Sequence, residues 1–355
     1  MSKTENRRMV PGEACPVPNL EHQQIMLGHG SGGKLTQELI EKLFLPSFNN
    51  SYLAQLNDQA LLNVDGVRIA FTTDSFVVTP IFFPGGDIGR LAINGTVNDL
   101  AMSGATPRFI AAAFILEEGL ASDDLARVVE SMRQAALEAG VQLVTGDTKV
   151  VNRGKGDQVF ITTTGLGILE RPVTISADRA RPGDKIILSG TIGDHGMAIM
   201  SQREGLEFEG AIESDTAALH GLVAAMLDAS TEIHCMRDPT RGGVATILNE
   251  IAERSQVGME LHEKSIPVRE SVRGACEILG LDPLYVANEG KLVAAVAPEA
   301  AENVLDAMLN HPLGREARCI GEVVAEHPRR VLVKTEIGGS RVLDVMLGEP
   351  LPRIC

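Results

Sequence analysis

Apolar and polar positions alternate in short runs along most of this chain, and their period changes often enough to predict a succession of strands and helices. From residue 25, IMLG leads into a glycine-rich HGSGGK and then into TQELIEKLFL, which has helical spacing. ALLNV and RIAFTTDS are apolar and β-branched and read as strands, followed by an extended FVVTPIFF. Asp87 to Ser103 reads as a helix opened by an acid and closed by Gly104. RFIAAAFIL is a strand. Ser122 then opens a helix in which Leu125, Val128, Val129, Met132 and Ala136 hold helical spacing, with Gly140 as its stop. VQLVTGD and VFITTTGLGIL complete a first half.

The turn signal RARPGD, Arg179 to Asp184, reads as a hinge into a second half that begins with KIILSG and the helical HGMAIMSQ. Helices are expected around 215–229, 242–255, 269–279 and 298–310. Strands are expected near 258–263, 284–287, 291–297, 317–325, 331–335 and 341–346. Strands fall in adjacent runs as well as alternating with helices. That predicts α+β halves with mixed sheets and packed helices, not a strict doubly wound fold. The polar N-terminal stretch, with Pro11, Pro16 and Pro18, reads as a loose extension.

Composition narrows the picture. At about 100–200 residues per domain, 355 residues imply two domains. A hydrophobic share of 44% excludes a disordered chain. The net charge of −15 argues against general binding to nucleic acid or anionic membrane, which needs excess Lys and Arg. Only 3% aromatic residues leave little for base stacking. Cysteines at 15, 235, 276, 319 and 355 form no CxxC, so neither a disulfide framework nor a tetrahedral zinc site is indicated. The N-terminus lacks the apolar stretch of a signal peptide, and no run reaches the length of a membrane span. A cytoplasmic protein is expected.

Several stretches carry candidate chemistry. Gly28 to Lys34 (GHGSGGK) fits both GxxxxGK and GxGxxG, whose backbone N–H groups can close on phosphate. Leu35 stands where a true P-loop has its magnesium-binding Ser/Thr, so a flexible turn before a helix is an equal reading. Asp58, Asp74, Asp99, Asp147 and Asp238 sit at strand ends and loops among small residues. Singly, each caps a turn; together, they are what an acidic protein needs to hold a polyphosphate through Mg²⁺. Lys149 follows Asp147 by two, so a strand would turn both to one side, while Glu289 lies between two strands in NEGKL. The chain ends Pro350-Leu351-Pro352-Arg353-Ile354-Cys355. A terminal thiol on a tether can carry a group between sites, or be an ordinary frayed end.

From about residue 25 to the end, HGSGGK, NDLAMSGA, TGDTKVV, DPTRGG, NEGK and the terminal PRIC together resemble the hydrogenase-maturation HypE family of carbamoyl dehydratases. The wider superfamily of aminoimidazole ribonucleotide synthetase, selenophosphate synthetase and thiamine-phosphate kinase is similar in the glycine-rich and acidic segments but lacks the PRIC ending. The resemblance implies an aminoimidazole ribonucleotide synthetase-like two-domain chain. Its boundaries would be an extension at 1–24, an ATP-binding and dimerising domain at 25–175, an α/β domain at 176–346 and a flexible tail at 347–355. It implies ATP held by Gly30, Gly32, Gly33, Lys34, Thr73, Asn98 and Thr148. Asp58, Asp74, Asp99 and Asp147 would hold Mg²⁺, with Cys355, Glu289 and Lys149 as the catalytic groups. Asp238 and Arg241 are second-tier candidates, structural as readily as catalytic.

The resemblance also implies a reaction. A carbamoyltransferase, HypF, would load Cys355; ATP-dependent dehydration would turn the thiocarboxamide into a thiocyanate; and the cyanide would pass to a HypC–HypD scaffold. A homodimer is implied, with Cys355 swinging between inward and outward states. The rivals are another ATP-dependent kinase or synthetase of the superfamily, and a non-catalytic thiol carrier.

Overall fold

The computed structural model describes residues 24–48, 50–206, 211–346, 351 and 353–355. The expected extension lies outside them except for Gln24, and so do residues 347–350 and Pro352 of the tail. Five strands, β1 (Ala60–Val64), β2 (Val67–Phe76), β5 (Thr106–Glu117), β6 (Gln142–Val151) and β7 (Val159–Ile168), form one sheet in the order β1-β2-β7-β5-β6. A small ribbon, β3 (Phe82–Phe83) with β4 (Gly86–Asp87), stands beside it. Neighbours run antiparallel except β5 and β6, which are parallel and joined by the helix Ser122–Ala139.

The period-2 burial of β2 fixes which way its residues face. Ala70, Thr72 and Phe76 are buried and Asp74 is half-buried, beneath the helix Ile88–Met102; Phe71, Thr73 and Ser75 alternate onto the other, exposed face. That helix begins where Asp87 accepts the N–H groups of Gly89 (2.7 Å) and Arg90 (3.1 Å), as the sequence signal required. The open face of the sheet carries the exposed Phe71, Phe109 and Ile115, and β6 is exposed over nearly its whole length.

The second sheet holds β8 (Lys185–Leu188), β9 (Ile233–Arg237), β10 (Gly258–His262), β11 (Val293–Val296), β12 (Arg318–Val324), β13 (Val331–Lys334) and β14 (Ser340–Leu343). Their order is β14-β13-β10-β12-β8-β11-β9. Alternation again divides the strands. Ile186, Leu188, Val293 and Ala295 pack with Val244, Leu248 and Ile251 of the helix Gly243–Ser255. Ile187, Ala294 and Val296 pack with Leu222 and Met226 of the helix His220–Ala229 and with Val304 of the helix Ala301–Leu309. A further core, including Phe76, Val97, Met197, Val272 and Val286, joins the two halves and takes in Leu351 and Ile354 of the tail. The α+β architecture with mixed sheets is therefore present. No described helix is long and apolar enough to cross a membrane.

Three local expectations change. Residues 284–287, expected as a strand, contain a 3-10 turn at Pro283–Tyr285, opened by Asp282 accepting the Leu284 N–H. The helix expected from 215 starts at His220, because residues 215–219 bond to other parts of the chain instead. Strand β9 escaped the sequence pattern because its polar His234 and Arg237 are buried and paired, His234 with Asp184 at 2.8 Å and Arg237 with Glu250 at 2.6 Å. The expected hinge at Arg179–Asp184 is tied to β12 on both sides: Gly183 N–H donates to Val323 O and Val323 N–H to Asp184 O, each at 2.8 Å.

Candidate active site

Four acids meet where the two halves join. Asp74 comes from β2, Asp99 from the helix Ile88–Met102, Asp58 from the loop before β1 and Asp238 from the residue after β9. Oxygens of Asp58, Asp99 and Asp238 all lie within 4.8 Å of one another. Thr72 Oγ1 sits 2.7 Å from both Asp99 Oδ2 and the Asp58 carbonyl, and Arg237 Nε stands 3.0 Å from Asp58 Oδ1. Burial, reinforced by the neighbouring acids, pushes Asp99 and Asp238 far above the usual carboxylate range. Burial outweighs Arg237 to push Asp58 up to about 6, and burial also raises Asp74. Hard oxygens crowded against their own repulsion are a donor set that fits Mg²⁺. Asp238 thus joins the cluster, as its grouping with the other acids in the sequence suggested, although the resemblance had left it a second-tier candidate.

Beside the acids, Asp74, Asp99, Asp238, Arg241 and Glu289 line a cavity of about 40 Å³ together with Cys355. The terminal thiol and the Glu289 carboxyl share this cavity. Burial first, and then the Glu289 charge, hold that thiol far above its ordinary range, so it is seated here as S–H. Glu289 is itself buried; burial and then Asp238 and Asp215 raise its carboxyl well above the ordinary value, and its Oε1 has no hydrogen-bond partner.

The residues around Glu289 explain NEGK. Asn288 accepts the Gly193 N–H at 2.7 Å and donates to Pro239 O at 3.0 Å, tying the Glu289 loop to the loop of Asp238. Asp215 accepts the N–H groups of Glu289 (3.0 Å) and Gly290 (3.3 Å) and pairs with Lys291 at 3.1 Å. A Cβ on Gly290 would overlap the Asp215 carbonyl, so the approach requires glycine. Asn98, expected to touch nucleotide, is buried with its amide committed to backbone. It donates to Ala217 O (3.0 Å) and Glu289 O (3.2 Å) and accepts the Leu219 N–H (2.8 Å).

The remaining candidates lie elsewhere in the chain. Gly30 O accepts from Arg241 at 2.9 Å, which brings the glycine-rich segment against the rim of the Cys355 cavity; Gly32 takes φ +78 there. Gly33 N-caps a short helix beginning at Lys34, and Lys34 pairs with Asp344 at 3.0 Å. Thr73 is on the open face of the sheet, bonded to Thr163 O and near Thr164 Oγ1, each at 3.0 Å. Asp147 and Lys149 are exposed on β6 and pair with each other at 2.7 Å, with the Thr148 N–H also donating to Asp147. The registers Asp147↔Ala113, Ala113↔Thr162 and Ser75↔Thr162 set Asp147 three strands from β2, about 14 Å away. By the same registers Asp147 and Lys149 share the open face with Ser75, while Asp74 faces the helix side. One chain therefore does not bring Asp147, Thr148 or Lys149 to the acid cluster or to Glu289. A larger cavity of about 510 Å³ has Lys34, Asn57, Arg237, Glu250 and Asp344 in its wall.

Comparison with known proteins gives this geometry a context. Residues 56–169 match the AIR synthase related protein, N-terminal domain, and residues 181–334 its C-terminal domain. The chain is 59% identical to carbamoyl dehydratase HypE of Azotobacter vinelandii, over 95% of this chain and 99% of that one. It is 48% identical to the HypE of Escherichia coli K12, over 93% and 99%. The chain belongs to the HypE family of carbamoyl dehydratases. Among solved structures, a HypE–HypF complex superposes with a TM-score of 0.83 at 50% identity, covering 87% of this chain and 99% of that one. A HypE in complex with ATP gives 0.79 at 51% identity, covering 94% and 100%. A thiamine monophosphate kinase from Aquifex aeolicus, at 19% identity and TM-score 0.60, shares the fold alone. The sequence reading gave no task to Asp215, whose only signal was its type, or to Asn288, although the latter stands in the NEGK motif. A buried aspartate beside a lysine and a buried asparagine look like any turn residues until the loops that they tie are known.

Proposed function

We propose that this chain is an ATP-dependent carbamoyl dehydratase that carries its substrate on Cys355 and so supplies cyanide for hydrogenase maturation. The observation that carries the reading is the Cys355 thiol seated against Glu289 in a cavity bordered by the acid cluster. A cavity of about 40 Å³ has room for roughly one water molecule, far short of the 300 Å³ or more of a free-metabolite pocket. A substrate delivered on the sulfur suits it; a free small molecule does not.

The chemistry balances without a redox partner. The oxygen of the S-carbamoyl group attacks the γ-phosphorus of ATP as the bond to ADP breaks, and one N–H proton leaves. The resulting imidyl phosphate loses phosphate as its C–O bond breaks and the second N–H proton departs, leaving C≡N on sulfur. Glu289 is the base beside the sulfur: burial raises its carboxyl well above the ordinary value, so its ionised form takes a proton more readily than an ordinary carboxylate. Mg²⁺, held by Asp58, Asp99 and Asp238 with Asp74 beside them, would neutralise charge on the phosphates. Gly30, Gly32, Gly33 and Lys34 suit a segment that covers phosphate, since Lys34 needs only to exchange its exposed partner Asp344.

Asp147, Thr148 and Lys149 enter the site from a second copy. The open sheet face with Phe71, Phe109 and Ile115 is the surface on which two copies would pair, making a homodimer with shared sites. HypF is the loading partner, and an HypC–HypD scaffold the acceptor, in a cytoplasmic setting. Intact-protein mass spectrometry tests the reading after loading by the transferase, with and without Mg-ATP. A carbamoyl adduct on Cys355 that loses the mass of one water only with ATP supports it. An adduct on another cysteine, or no ATP-dependent change, refutes it.

A further inference from the structure

The tail is held by groups that no part of the reaction requires, on the helix Asp194–Glu204. His195 of that helix is fully buried and uses both ring nitrogens: Nδ1 stands 2.7 Å from Ser214 Oγ and Nε2 2.9 Å from the carbonyl of Ile354. Ser214 Oγ accepts the Thr216 N–H at 3.2 Å, which leaves its own O–H to donate to Nδ1. That bond fixes the tautomer, so Nε2–H donates to the Ile354 carbonyl. The ring is wedged edge-on against Phe83, with centroids 5.5 Å apart at 87°. Just over two turns along the same helix, Arg203 donates to Thr79 O at 2.7 Å and to Arg353 O at 2.8 Å, and the Thr79 N–H reaches Arg353 O at 3.2 Å. Two successive tail carbonyls are thus each met by donors from the body of the protein.

We infer that His195 and Arg203 form a receptor that reads the main chain of residues 353 and 354 and so sets where the Cys355 sulfur stands. The Ile354 side chain, buried in the core that joins the two halves, supplies the apolar part of the grip. Arg353 adds a rim contact with Asp157 at 3.2 Å. Backbone-directed capture has a chemical consequence. None of these contacts involves the sulfur, so free thiol, carbamoyl and cyano forms all dock alike, and the receptor delivers the tail whatever it carries. His195 and Arg203 are positioning residues, not catalytic ones.

The test uses the full-length protein and needs neither ATP nor a carbamoyl group, so it stands apart from the dehydratase reading on which only its kinetic arm rests. Iodoacetamide labelling of the C-terminal peptide is followed by mass spectrometry in wild type, His195→Phe, His195→Gln and Arg203→Leu. The buried Cys235 peptide serves as the folding control. The receptor predicts that Cys355 labels at least about fivefold faster in His195→Phe and Arg203→Leu while Cys235 stays protected. In His195→Gln, which can keep a donor toward Ile354, the rate returns toward wild type. In the kinetic arm, single-turnover dehydration falls while the KM for ATP holds. Should His195→Phe expose Cys235 through unfolding, Arg203→Leu decides alone. An unchanged Cys355 rate in a variant that keeps Cys235 protected overturns the proposal.

Discussion

Burial raises both the Cys355 thiol and the Glu289 carboxyl above their ordinary values, and the Glu289 charge raises the thiol further, which fixes what the sulfur can do while docked. A thiol held as S–H is a poor nucleophile, so accepting a carbamoyl group requires the tail to be away from Glu289. Once the sulfur is carbamoylated, Glu289 faces the amide instead of a thiol. Replacing Glu289 by Gln should slow single-turnover dehydration by about 100-fold or more, with ATP affinity by calorimetry little changed. Equal losses in binding and rate would remove Glu289 from the chemistry. The acid cluster makes a second residue-scale prediction. Asp58 is raised from 3.8 to about 6, and Asp99 and Asp238 are raised well above their ordinary value, so each holds its proton to higher pH folded than unfolded. Their contribution to stability is full below pH 3.8 and is lost as pH rises through about 6 and beyond. Metal-free protein should therefore lose melting temperature over that window, and added Mg²⁺ should raise it more at pH 8 than at pH 5. A Mg²⁺ effect equal at both pH values would place the ion elsewhere.

At the scale of elements, the site depends on ends and turns. The helix Ile88–Met102 carries both Asp99 and Asn98, and its start rests on the Asp87 cap. Asp87→Ala should cost about 1 kcal/mol in urea unfolding. The Glu289 turn depends on the close approach of Asp215 to Gly290. Gly290→Ala should abolish dehydration while the protein stays folded by circular dichroism, because the strain displaces a loop and leaves both cores intact. Retained activity would show that the loop tolerates a shift. Much of this level was legible in advance: Asp87 with Gly104 marked one helix, Gly140 the end of another, and alternation marked β2, although the expected cap Ser122 is the first helical residue, after Ala121, and makes no cap bond. The turn at Pro283–Tyr285 was not legible, because its apolar residues resemble a short strand and only packing against the helix Gly243–Ser255 decides otherwise.

At the scale of the molecule, the decisive geometry is that of two faces of one sheet. Asp74 and Asp99 lie on the helix side and Lys149 on the open side, so a single chain cannot close a site containing all three. If a second copy supplies Lys149, mixing inactive Lys149→Ala with inactive Glu289→Gln should restore activity. Random reassortment in a two-fold dimer gives one intact site in half of the molecules, about a quarter of wild-type activity. No restoration after subunit exchange would mean that Lys149 serves its own chain or none. If two copies pair through the open face, Phe71→Asp should give monomers in sedimentation where the unmodified protein gives dimers.

The sequence by itself determined most of the order of strands and helices, β9 and residues 284–287 excepted, together with the α+β class, the set of candidate acids and the singular terminal cysteine. Those follow from local period, caps and composition, which each short segment carries alone. Tertiary structure decided which acids meet, replacing Asp147 with Asp238 in the cluster within one chain. It also gave Asn98, Asp215, Asn288, His195 and Arg203 their tasks. Each of these acts on backbone groups of segments distant in the chain, and a side chain's type does not say which distant N–H or carbonyl the fold will bring to it.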